Sequence, residues 1–105
     1  MHDISPIDFF KVYQKTNSLR IIDVRDTFDF EKYHLNDSLN IPLALLYEKH
    51  YLFLNKKHVY YVICKNGTQS KLATKYLEAN GYHVINVIGG LDHWMGSYNL
   101  NSFYY

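Results

Sequence analysis

The run Val59-Tyr60-Tyr61-Val62-Ile63 constrains this chain more than any other stretch, with five consecutive apolar, β-branched or aromatic residues and no polar alternation. A strand with one face in water alternates apolar and polar side chains, so an unbroken run reads as a strand covered on both faces, as at the centre of a parallel sheet. It stops at Cys64, and a polar, glycine-containing loop follows, Lys65-Asn66-Gly67-Thr68-Gln69. The next segment, Ser70 to Asn80, sets Leu72, Ala73, Tyr76 and Leu77 on one helical face and Lys71, Lys75 and Glu78 elsewhere, with Gly81 as a left-handed C-cap. The thiol therefore stands at the carboxyl end of a buried strand, where a helix is about to begin.

The remaining segments repeat this alternation. Ser5-Pro6-Ile7-Asp8 reads as a helix start, with Ser5 as N-cap, Pro6 at the first helical position and Asp8 in the first turn, and Phe9, Phe10 and Tyr13 supply its apolar face. Residues 19–24 read as a short strand ending in Arg25-Asp26, and a short helix follows in DTFDFEKYH. Residues 39–41 are strand-like and stop at Pro42; Leu43, Leu46, Tyr47, Tyr51 and Leu54 then recur at helical spacing. Residues 84–88 form another strand, Gly89-Gly90 a sharp turn, and 91–95 a short helix carrying Trp94. Strands alternating with helices predict a small, mostly parallel β-sheet of about five strands flanked by helices on both faces. Ligands of such sheets sit beyond the carboxyl ends of the strands, where Cys64 is placed.

Composition bounds the function. A chain of 105 residues makes one domain, 1–105, with a single core, and its 17% aromatic content supplies much of the apolar area. A net charge of +1 offers no broad basic surface for nucleic acid or an anionic membrane. Neither a leader nor an apolar run of membrane-spanning length is recognisable, which leads to the expectation of a cytoplasmic protein. A lone cysteine forms no intrachain disulfide and no CxxC pair, which suits a reducing compartment, and the histidines lack ligand spacing, so no metal and no cofactor are expected.

In the segment Cys64 to Ser70, successive backbone N–H groups can turn inward as a nest, Gly67 permits the positive φ that such a concave loop needs, and the helix start adds its positive dipole end. A cysteine facing that nest is favoured as the thiolate and becomes a nucleophile, with Lys65 and Lys71 adding positive potential.

On these residues the chain resembles the rhodanese, or thiosulfate sulfurtransferase, family. Ile22-Asp23-Val24-Arg25, the acidic helix after it and His34-Leu35-Asn36-Asp37-Ser38-Leu39-Asn40-Ile41-Pro42 are similar to the family's first signature, with Tyr33 and Asp37 replacing two glycines. Aspartate tolerates left-handed backbone, whereas Tyr33 implies a locally different turn. Residues 62–82 resemble the cysteine loop and its helix, and Ile88-Gly89-Gly90-Leu91-Asp92-His93-Trp94 the closing signature. The resemblance implies a sulfurtransferase in which Cys64 takes sulfane sulfur from a small-molecule donor such as thiosulfate as a persulfide. The sulfur then passes to cyanide, a thiol or a protein cysteine, for example of a thioredoxin-like partner. It further implies that Lys65, Asn66, Gly67, Thr68, Gln69 and Ser70 hold the persulfide and that Asp23 and Arg25 support the site without transferring protons. Many relatives carry arginine at Gln69, so affinity for an anionic donor is expected to be lower here, with Lys65 as a partial substitute. His34 falls on a position that reads as structural, and Trp94 reads as core.

Two other readings stay open. The domain can act as a non-catalytic sulfur carrier or protein-binding module. A cysteine-dependent phosphatase or arsenate reductase is disfavoured, since those loops carry an arginine six residues after the cysteine, where this chain has Ser70.

Overall fold

The computed structural model describes residues 1–16 and 18–93 in full and the backbone of 94–97. In chain order the elements are β1 (Asp3–Ile4), α1 (Pro6–Lys15), β2 (Ile21–Asp23), α2 (Thr27–Lys32), β3 (Ser38–Asn40), α3 (Leu43–Phe53), β4 (Val59–Ile63), α4 (Thr68–Ala79), β5 (His83–Val87) and α5 (Gly90–Ser97). The five strands form one sheet in the order β1-β5-β4-β2-β3, with every pair parallel. The unalternated run 59–63 is thus the central strand, flanked by β5 and β2.

Parallel neighbours need crossovers, and the helices that provide them cover both faces. On one face Ile22, Tyr60, Val62 and Val84 pack with Leu46 of α3 and Ala73 and Leu77 of α4. On the other, Ile21, Ile63 and Val87 pack with Phe9 of α1 and Leu91 of α5. The period of two within β2 and β4 sorts neighbouring residues to opposite cores.

Several local readings hold. The Ser5 side chain accepts the Asp8 N–H and Pro6 opens α1. Asp37 takes φ 68, and Gly81 takes φ 89 after α4. Tyr33 lies in extended backbone at φ −165, so the turn at that position is a different one. Others are corrected. The buried stripe of α4 is Ser70, Ala73, Thr74 and Leu77, and Leu72 is exposed. Serine and threonine tolerate this burial because Thr74 Oγ1 donates to the Ser70 carbonyl at 2.7 Å and Ser70 has partners of its own. In α3, Lys49 departs from helical dihedrals, which breaks the phase of the pattern, and Tyr51 beyond it is exposed. Strand β1 was not anticipated; two residues are too short to carry a pattern. The Trp94 side chain and the aromatic tail 99–105 lie outside the described residues.

Successive connections leave β2 for β3 on one side and β4 for β5 on the other, so a crevice opens between the carboxyl ends of β2 and β4. Arg25 follows the first of these strands and Cys64 the second.

Candidate active site

Cys64 directly follows β4 and is 1% exposed. Gly67, at φ 94, turns the chain back over the sulfur and leads into α4. As a result two backbone amides converge on Cys64 Sγ: Gly67 N–H at 3.1 Å and Ser70 N–H at 3.2 Å. Both belong to the loop and the first turn of α4, whose leading N–H groups have no partner within the helix. Donors aimed at one sulfur stabilise negative charge on it, whether it is a thiolate or part of a persulfide. The Ser70 hydroxyl stands 3.4 Å from Sγ.

The cradle is held from outside the loop by a device that the sequence reading missed. The first amides of α5 reach across: Leu91 N–H donates to the Cys64 carbonyl at 2.9 Å and Asp92 N–H to the Lys65 carbonyl at 2.8 Å. Close approach of the two backbones requires glycine at position 90, because a Cβ there would stand 2.5 Å from the Cys64 carbonyl oxygen and 2.7 Å from that of Lys65. The Gly-Gly pair was legible as a turn, but its contact with a loop some 25 residues earlier left no local signal.

The remaining loop residues take separate positions. Asn66 Oδ1 accepts the Thr68 N–H at 3.0 Å and so stiffens the loop. Lys65 lies at the surface with Nζ 3.2 Å from both oxygens of Asp92. It is therefore ion-paired at the surface, which tempers the positive potential expected of it. A cavity of about 360 Å³ gives access to the thiol and is lined by Cys64, Lys65, Asn66, Thr68, Gln69, Arg25, Asp26 and Asp29. Gln69 thus lines the same cavity as the thiol, and the two aspartates bring negative charge to its mouth. Lys71 lies instead with Lys75 in a larger depression of about 700 Å³ on the far side of the loop, whose lining does not include Cys64. The thiol opens into the smaller cavity.

Asp23 and Arg25 come to the same sheet edge and bind each other. Arg25 donates from Nε to both Asp23 oxygens at 3.1 Å, from Nη2 to Oδ2 at 2.8 Å, and from its backbone N–H to Oδ1 at 3.0 Å. Nη2 also donates to the Tyr33 carbonyl at 2.7 Å, and the guanidinium stacks on the Tyr33 ring. Asn40 ties the carbonyls of Asp23 and Arg25 together from β3. Both charges are buried and mutually satisfied, so the pair braces the β2 end of the crevice. His34 bonds the Phe30 carbonyl through Nδ1 and stacks on the Phe30 ring, within the connection from α2 to β3. Among the described residues no group of three or more His, Cys, Asp or Glu could hold a metal. No helix among them is long and apolar enough to cross a membrane.

A family model described as a rhodanese-like domain matches residues 8–97. An adenylyltransferase and sulfurtransferase, uba4, from Ogataea parapolymorpha is 41% identical over 75 residues, covering 70% of this chain and 19% of that protein. A putative sulfur carrier protein, YrkF, from Bacillus subtilis is 35% identical over 95 residues, covering 90% of this chain and 51% of that one. The chain therefore spans between about a fifth and about half of the length of these relatives. A rhodanese-related protein from Thermoplasma volcanium superposes with a TM-score of 0.83 at 28% identity, covering 93% of this chain and 94% of the other.

Proposed function

The chain belongs to the rhodanese-like domain family, and from that premise we propose that it is a sulfurtransferase working through a persulfide on Cys64. The observation that carries this reading is the convergence of the Gly67 and Ser70 amides on Sγ at the mouth of the crevice. In the first step the Cys64 thiolate attacks the sulfane sulfur of a donor such as thiosulfate. An S–S bond forms to Cys64, the donor's S–S bond breaks, and sulfite leaves with the bonding pair. In the second step cyanide, a thiol or a protein cysteine attacks the outer sulfur, and the Cys64 thiolate is released into the amides that stabilised it. The amides serve both states without moving, which is what lowers the barrier between them.

Affinity for a dianionic donor is low in this reading, because Gln69 is uncharged, Lys65 is paired with Asp92, and Asp26 and Asp29 line the cavity. A second reading, a sulfur-carrier or protein-binding module, takes its support from that same mouth and from the likeness to a putative sulfur carrier protein. Protein partners that deliver or accept sulfur, and the domain as a self-standing unit over residues 1–105, belong to these proposals. Phosphatase chemistry is disfavoured because Ser70, where the phosphate-gripping arginine would stand, is fully buried.

Incubation with thiosulfate or an organic persulfide is expected to add one sulfur atom to the intact mass, removable by cyanide with thiocyanate formed. Cys64→Ser abolishes the adduct. A chain that takes no sulfur from either donor overturns the sulfurtransferase reading. Loading without turnover to any small thiol favours the carrier.

A further inference from the structure

The Ser70 hydroxyl beside the sulfur is the end of a buried polar chain that the transfer reaction does not account for. Ser70 Oγ donates to Asn86 Oδ1 at 2.7 Å, and Asn86 Nδ2 donates to Asp3 Oδ1 at 3.1 Å. Ser70 is fully buried and Asn86 is 4% exposed, while Asp3 lies at the surface on the edge strand, opposite Asn86 in the register of β1 and β5. The direction of every bond in this chain follows from chemistry. An ionised carboxylate only accepts, so the Asn86 amide must turn its NH2 toward Asp3. Its carbonyl oxygen then faces Ser70 at 2.7 Å, and Ser70 gives its one hydrogen there in preference to the Gly67 carbonyl, the other acceptor within reach, which stands farther off at 3.3 Å. What Ser70 has left for Cys64 is a lone pair.

We propose that Asn86, itself oriented by Asp3, is a positioning residue that fixes the Ser70 hydroxyl with an oxygen lone pair, and not its hydrogen, facing Cys64 Sγ. The two backbone amides favour the anionic sulfur, and Ser70 opposes them by accepting the hydrogen of the resting thiol. To donate to a thiolate or persulfide instead, Ser70 must release Asn86. The chain therefore restrains the nucleophile at rest, and its outer end is open to the depression that also holds Lys71 and Lys75. This rests on the reading of Cys64 as the reacting group.

The test reads the thiol alone, through the pH profile of Cys64 alkylation by iodoacetamide without any sulfur donor. Its failure is thus distinct from a failure of sulfur transfer. The charged groups facing the thiol cavity are Arg25, held by Asp23, together with Asp26, Asp29 and Lys65, held by Asp92. Asp3→Asn frees the amide to turn over and lets Ser70 donate to sulfur, so the alkylation midpoint is expected to fall by about half a pH unit. Asn86→Leu is expected to move it further in the same direction. Removing the Asp3 charge alone would also lower the midpoint, so each profile is taken at about 1 M salt, where screening acts within about 3 Å. The decisive arm repeats Asp3→Asn in a Ser70→Ala background. The inference predicts that the shift is markedly smaller there, because the hydroxyl that carries it is gone and only the residual charge effect remains. An equal shift in both backgrounds, or no shift from Asp3→Asn in the parent chain, overturns it. Asp3 is exposed, so its variant is readable even if Asn86→Leu fails to fold.

Discussion

The ends of β2 and β4 lie side by side at one edge of the sheet, and they use their polar groups in opposite ways. After β2, Arg25 and Asp23 spend their hydrogen-bonding capacity on each other and on neighbouring carbonyls. After β4, the backbone aims two N–H groups at one sulfur, a weak acceptor while it remains a thiol. One end is closed and the other is poised. The lesson is that the charged residues beside a crevice need not be its reactive part. Here side-chain charge holds the walls, and uncharged backbone supplies the donors that face the sulfur.

The strongest way to break this contrast is to open the closed end. Arg25→Ala leaves the Asp23 carboxylate buried without its partner and is expected to destabilise the fold by about 3–5 kcal/mol, read by urea denaturation. Cys64→Ser, by contrast, is expected to change stability by less than about 1 kcal/mol while abolishing sulfur loading. Next in size, Gly90→Ala attacks the support of the poised end. The added Cβ collides with the Cys64 and Lys65 carbonyls at a backbone of φ 59. A cost of about 1–3 kcal/mol follows, with a loss of sulfur loading that exceeds the loss of folded protein. Gln69→Arg sharpens the contrast by adding a charged donor to the poised end. It is expected to raise kcat/KM for thiosulfate about tenfold, with little change in stability. Asp92→Asn, which releases the exposed Lys65, should raise the same quantity only about twofold, an effect that vanishes in high salt.

Much of this arrangement was legible because it is local. The unalternated run 59–63 marked the central strand with its observed limits, and the Ser5-Pro6 pair marked the start of α1. The cysteine at a strand end before a glycine loop marked the candidate site, and a charged pair at the end of β2 was expected as a support. What escaped was written in contacts between distant residues. Strand β1 exists through pairing with β5, more than eighty residues away. Lys65 was expected to add positive potential, and its pairing with Asp92, brought to it by α5, left no local signal. Asn86 was read only as part of the strand 84–88, and its hydrogen bonds to Ser70 and Asp3 join residues far apart in sequence. In α4 the helical period was recognised but its phase was misread, because Ser70 and Thr74 are buried by hydrogen bonds that hydropathy does not register.

The central claim is that the backbone cradle, and not the neighbouring charged pair, carries the sulfur chemistry. Amide NMR of the thiol and persulfide forms of the same labelled protein tests it most directly. Conversion of Cys64 to the persulfide is predicted to move the Gly67 and Ser70 amide signals more than any other, while the Arg25 Nε–H signal stays in place. Unmoved Gly67 and Ser70 amides together with a displaced Arg25 side-chain signal would contradict the account.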